Sequence, residues 1–96
     1  MKKSEERPIN QVIEEFLDVF RLRNKMNEAK VIASWPKVVG ELVAKNTIRL
    51  SIQKKILYIK IDIAPLRNEL LYARSKIISA LNKEVGSNVV EEIVFI

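Results

Sequence analysis

A switch in hydropathic period at Thr47 constrains this chain more than any other feature. From there Ile48, Leu50 and Ile52 alternate with Arg49, Ser51 and Gln53; beyond Lys54 and Lys55, residues Leu57, Ile59, Ile61 and Ile63 alternate with Tyr58, Lys60 and Asp62. Successive side chains of a strand point to opposite faces, so two such runs joined by a short polar link read as a hairpin with one apolar face. The same period sets the register. Pairing Ile52 with Leu57, Leu50 with Ile59 and Ile48 with Ile61 keeps the apolar partners together, whereas a slip of one residue would set Leu50 against Tyr58 and Ile48 against Lys60. The link must then hold an even number of residues. A two-residue primed turn prefers glycine, which Lys54 and Lys55 do not supply, so a four-residue loop from Gln53 to Ile56 is expected.

The flanking segments read as helical before the hairpin and mixed after it. Residues 1–8 are charged, lack periodicity and read as a flexible N-terminal arm, with Pro8 suited to a helix's first turn. The remainder, 9–96, reads as a single domain. Ile9, Val12, Ile13, Phe16, Leu17 and Phe20 recur at three- and four-residue spacing, the signature of an amphipathic helix. Asn24 and Asn27 suggest a break, and a second short helix is expected from near Glu28 to Trp35. Pro36 disfavours helical geometry at Trp35, predicting a bend there and a third segment through Val38, Val39, Leu42 and Val43. After the hairpin, Pro65 opens one long helix with the stripe Leu66, Leu70, Ala73, Ile77, Leu81, Val85 and a stop at Gly86. Val89 to Ile96 reads as a third strand. The expected fold class is α+β: N-terminal helices, then β-β-α-β, with a three-stranded sheet covered on one face by helices.

Composition argues against catalysis. The 96 residues contain no His and no Cys, and only two Gly, so the commonest general base, thiolate chemistry and a glycine-rich phosphate loop are all missing. No enzyme activity, metal or cofactor is expected. Neither an export signal nor a membrane span is read in the sequence, which predicts a cytoplasmic protein. Lys and Arg number 17 against 12 Asp and Glu, a net charge of +5. Divided into residues 1–30, 31–60 and 61–96, the chain nets +1, +5 and −1, so the positive excess sits around the hairpin.

That distribution selects the candidate binding residues. Nucleic acid is recognised by cations that meet phosphates and flat surfaces on which bases stack. In the derived register Arg49 lies opposite Lys60 and Ser51 opposite Tyr58 on the non-aliphatic face, with Lys54 and Lys55 at the tip. Like charges placed directly across a sheet cost roughly 0.2–1 kcal/mol, a modest hint that an anion is meant to sit there. The plainer reading is a solvated outer face whose cations discourage edge pairing. Lys37 and Lys45 flank the third helical segment and could extend the surface. Trp35 reads as core, Tyr72 as boundary packing, and Glu91 with Glu92 as solvated.

The ordered set Trp35, Val39-Gly40, Val43-Ala44-Lys45-Asn46-Thr47, Leu57-Tyr58-Ile59, Leu66-Arg67-Asn68-Glu69-Leu70, Leu81-Asn82, Gly86 and Val90…Ile93…Phe95 resembles the DciA-like family. The resemblance spans residues 10–96. It implies a KH-like domain and a role in assisting placement of a DnaB-type replicative helicase on DNA, with DNA, single-stranded or forked, and that helicase as partners. A nucleic-acid-clamping KH module uses a Gly-x-x-Gly loop. Here Gly40 and Gly86 lie far apart, so any contact with nucleic acid would run through side chains. An adaptor whose basic face meets an acidic protein surface, without nucleic acid, is the alternative.

Overall fold

The computed structural model describes residues 9–96 of the chain; the expected arm, residues 1–8, lies outside them. Helix α1 runs unbroken from Ile9 to Val39, a short α2 covers Glu41–Lys45, and strands β1 (Thr47–Gln53) and β2 (Ile56–Ile61) form the hairpin. Helices α3 (Ala64–Tyr72) and α4 (Arg74–Val85) lead to β3 (Glu92–Phe95). The sheet order is β1-β2-β3, antiparallel between the first two and parallel between β2 and β3, so α3 and α4 form the crossover.

The expected break at Asn24 and Asn27 is absent. Asn lowers helix stability by only a few tenths of a kcal/mol relative to good formers, too little to end a helix with no Gly or Pro nearby. Pro36 does not end it either: it sits in the last turn, inside α1. Proline deprives the Ile32 carbonyl of its helical donor, a loss confined to the last turn and to a residue that is itself partly exposed. Val31 and Trp35, in the turns just before the proline, are buried. The chain turns instead at Gly40, whose φ of 93° favours glycine and whose N–H donates to the Pro36 carbonyl at 2.9 Å.

One buried cluster unites the sheet's inner face with the helices. Leu57, Ile59 and Ile61 of β2 and Ile93 of β3 pack with Val31 and Trp35 of α1, Leu70 of α3, and Ile77 and Leu81 of α4. Trp35 is core, as its sequence position suggests, and its indole N–H donates to the Thr47 hydroxyl at 3.0 Å, which donates to the Val43 carbonyl at 2.8 Å. The long helix expected after Pro65 is divided at Ala73, whose φ and ψ are −92° and 8° and whose N–H is shared between the Glu69 and Leu70 carbonyls. The stripe survives that hitch, but Tyr72 points away from it and is 93% exposed rather than boundary packing.

Strand β3 is shorter than expected. Val89 and Val90 fill the core from irregular backbone held by Asn82: its carbonyl oxygen accepts both their N–H groups, at 3.0 and 2.9 Å, and its amide donates to the Val90 carbonyl at 2.9 Å. Gly86, left-handed at φ 81°, ends α4 as the sequence predicts.

Candidate nucleic-acid interface

Because Leu57, Ile59 and Ile61 point inward and are fully buried, Tyr58 and Lys60 point to the opposite, helix-free face. In the observed register Arg49 faces Lys60, Ser51 faces Tyr58, Ile52 faces Leu57 and Leu50 faces Ile59, all as the alternation predicts. Across β2, Val94 lies beside Tyr58 and is 36% exposed, so the aromatic ring is flanked by a hydroxyl and a small apolar side chain.

The pairing fails at one end. Thr47, not Ile48, faces Ile61, with an irregularity between Thr47 and Arg49. The extra residue, Ile48, is 58% exposed. The physical reason is Thr47 itself: its hydroxyl is tied between the Trp35 indole and the Val43 carbonyl, which draws Thr47 inward and pushes Ile48 out as a bulge. Ile63, expected to continue the inner row, instead precedes α3 and is 44% exposed.

The tip also differs from the four-residue loop. Gln53 pairs with Ile56, leaving Lys54 and Lys55 as a two-residue turn with φ of 51° and 67°. Two left-handed residues in succession make a type I′ turn, the geometry that matches strand twist, although lysine adopts it at a cost. The turn is braced by the start of β3 and the residue before it: the Lys55 carbonyl accepts N–H groups from Glu91 at 2.8 Å and Glu92 at 3.4 Å, and the Lys55 ammonium lies 3.5 Å from the Glu91 carboxylate. Glu91 and Glu92 are exposed, as the sequence suggests, and from the surface Glu91 pairs with Lys55 and Glu92 with Arg74 at 3.5 Å.

The candidate residues do not all converge. Arg49, Tyr58 and Lys60 share the open face, and Lys54 and Lys55 stand at its end. Among the described residues, the ion pairs include none to Arg49, Lys45, Lys54 or Lys60. Lys45 ends α2, separated from β1 by Asn46 alone. Lys37 is held on the helical side by Glu84 of α4 at 3.0 Å.

Sequence reading missed a groove of about 430 Å³ beside the turn, where Phe20, Asn24 and Asn27 of α1 meet Lys54, Lys55 and Asn88. The two asparagines taken for a helix break interrupt the apolar stripe where it passes this groove; their placement on that stripe was the available signal. Among the described residues no cluster of His, Cys, Asp or Glu could hold a metal. No helix among them is long and apolar enough to cross a membrane. What the surface presents is contact chemistry: guanidinium and ammonium groups, a phenol, a hydroxyl and amides.

A small α+β domain with a helix-covered sheet face and an open cationic one has the build of an adaptor. The chain belongs to the DciA family: the family model described as Dna[CI] antecedent, DciA, matches residues 8–95, nearly its whole length. That family is associated with the replicative helicase DnaB, and membership carries a helicase loader or adaptor role in replication. No curated protein matches the chain. Several residues of the ordered set quoted above prove to be architectural: Trp35 with Thr47, Gly40, Asn82, Gly86, and Arg67, whose guanidinium donates to the Ile61 carbonyl at 2.8 Å.

Proposed function

We propose that the open hairpin face holds DNA, single-stranded or forked, while the protein acts as a loader or adaptor for the replicative helicase. The observation that carries this reading is the Arg49–Lys60 pair: two cations directly opposed on a sheet, with no ion-pair partner among the described residues. Their repulsion is relieved when a phosphate lies between them, and Tyr58, one row nearer the turn, offers a ring for an adjacent base. Lys54 and Lys55 extend the cationic track to the tip, and Lys45 stands at the other end of β1.

Salt dependence tests it. Each single-strand phosphate contact contributes about 0.7 to the slope of log affinity against log salt, so Arg49→Ala with Lys60→Ala flattens the slope by about 1.4. An unchanged slope rejects this face. A protein-only adaptor is the second reading, favoured by exposed Val94 beside Tyr58, which suits an apolar protein contact. Co-purification with the helicase separates the two: a complex that survives nuclease treatment but is broken by the same double substitution assigns the face to protein.

A further inference from the structure

Helix α1 is 31 residues long, about 46 Å at 1.5 Å per residue, whereas the described residues span 62 × 22 × 20 Å. Its second half packs on the domain, while its first half carries no buried residue. That projecting half is not polar. Ile9, Val12, Phe16, Val19 and Met26 recur at alternating spacings of three and four, with Arg23 and Lys30 completing the same heptad series. Ile13 and Phe20 widen the stripe on one side. Exposures are 78% for Ile9, 69% for Phe16, 60% for Val19 and 54% for Met26, and a groove runs along the face between Val19 and Lys30.

We propose that this face is a self-association surface, on which the projecting halves of α1 from two copies of the chain pair as a short antiparallel coiled coil. Two observations choose a second copy in that orientation. The first is charge. Residues 10–19 hold Glu14, Glu15 and Asp18 and no base, whereas residues 20–30 hold Arg21, Arg23, Lys25 and Lys30 against Glu28. An antiparallel pair sets the acidic half of each helix beside the basic half of the other. A parallel pair in register would force Arg23 onto Arg23 and Lys30 onto Lys30 across the seam.

The second observation is area. At roughly 200 Å² for a fully exposed large side chain, the scale of an aromatic, Ile9, Val12, Ile13, Phe16, Val19, Phe20 and Met26 together leave on the order of 800 Å² open. Two copies would cover about 1,600 Å², the size of a standard stable interface. Antiparallel heptads match core positions of opposite type, which sets Phe16 against Val19 of the other copy and Ile9 against Met26. The same offset sets Val12 beside Arg23, whose long stem can lie on apolar surface while its guanidinium reaches the acidic half of the neighbouring helix.

Sedimentation equilibrium of the whole chain tests this. The mass should rise with concentration from 11.1 kDa towards twice that value. Phe16→Gln with Val19→Gln should weaken association on the order of a hundredfold or more, because four apolar side chains leave the seam. Both residues are exposed and distant from the core, so thermal unfolding should hardly move at dilutions where the unsubstituted chain is itself monomeric. The chain has no cysteine, so orientation is read directly: a mixture of Ile9→Cys and Met26→Cys chains should give the mixed disulfide, and Ile9→Cys alone should not bridge to itself. A mass of 11.1 kDa up to several hundred micromolar overturns the proposal. So does a dimer indifferent to the glutamine pair, rapid bridging of Ile9→Cys to itself, or a monomer whose capture of the helicase the glutamine pair abolishes, which would make the helicase the occupant.

Discussion

Replacing Lys54 with Asn and Lys55 with Gly should raise stability and, on the proposed reading of the hairpin face, lower DNA affinity together. Lys54 and Lys55 occupy left-handed backbone, φ 51° and 67°, at a cost of roughly 1–2 kcal/mol per residue for an ordinary L-residue. Asn tolerates this region and Gly adopts it freely, although Gly returns about 0.5–1 kcal/mol by widening the unfolded ensemble. The substitution also removes the Lys55–Glu91 ion pair, whose side chains are 53% and 62% exposed and which is therefore worth between nothing and about 1 kcal/mol. The N–H groups donated to the carbonyl of residue 55 are backbone and survive. The net gain is about 1–2 kcal/mol, which for a domain of this size raises Tm by roughly 4–16 °C. Removing two cations should flatten the single-strand salt slope by about 1.4. Calorimetry and fluorescence anisotropy across a salt series read the two effects separately. An unchanged or lowered Tm would refute the strain argument; an unchanged slope would remove the turn from the interface.

Other perturbations act on one link each. Thr47→Val should cost about 1–3 kcal/mol in chemical denaturation, because the buried Trp35 indole N–H loses its acceptor, and should loosen the bulge that exposes Ile48. Asn82→Ala should cost roughly 2–4 kcal/mol, since several hydrogen bonds to the 88–90 segment vanish and the Val89 and Val90 N–H groups are left without partners; hydrogen exchange at those two amides should accelerate well before the sheet amides. Lys60→Glu should stabilise the hairpin by about 0.2–1 kcal/mol through a cross-strand pair with Arg49 while weakening DNA binding, and a stability loss in denaturant titration would contradict the opposed-cation account.

Strict alternation from Leu50 to Ile61 was enough to place every pair in the middle of the hairpin, because a slip by one would turn a whole apolar row to water. The same logic failed at Ile48, where alternation continues in the sequence but a hydroxyl fourteen residues upstream of Ile61 is captured by Trp35; periodicity carries no information about such a contact. The turn was misjudged for a related reason. Local preference argues against two left-handed lysines, but Glu91 and Glu92, far along the chain, brace them from the side. Asn24, Asn27 and Pro36 read as helix breakers because their costs are local, whereas the continuity of α1 reflects the burial of Val31 and Trp35 in the turns leading up to the proline.

Among the candidate residues, Arg49, Tyr58 and Lys60 were legible as one face because strand geometry alone places them there. Lys37 was not, since its direction depends on α4, whose Glu84 holds it. The groove joining Phe20, Asn24 and Asn27 to the lysine turn was equally hidden, being made from segments about thirty residues apart in the chain. Amino-acid order by itself determined the fold class, the hairpin's register and its cationic outer row, all consequences of a two-residue period that needs no distant partner. Tertiary structure decided where α1 ends, how the turn closes and which half of the long helix stays open, because each depends on free energies from residues remote in sequence that no local pattern encodes.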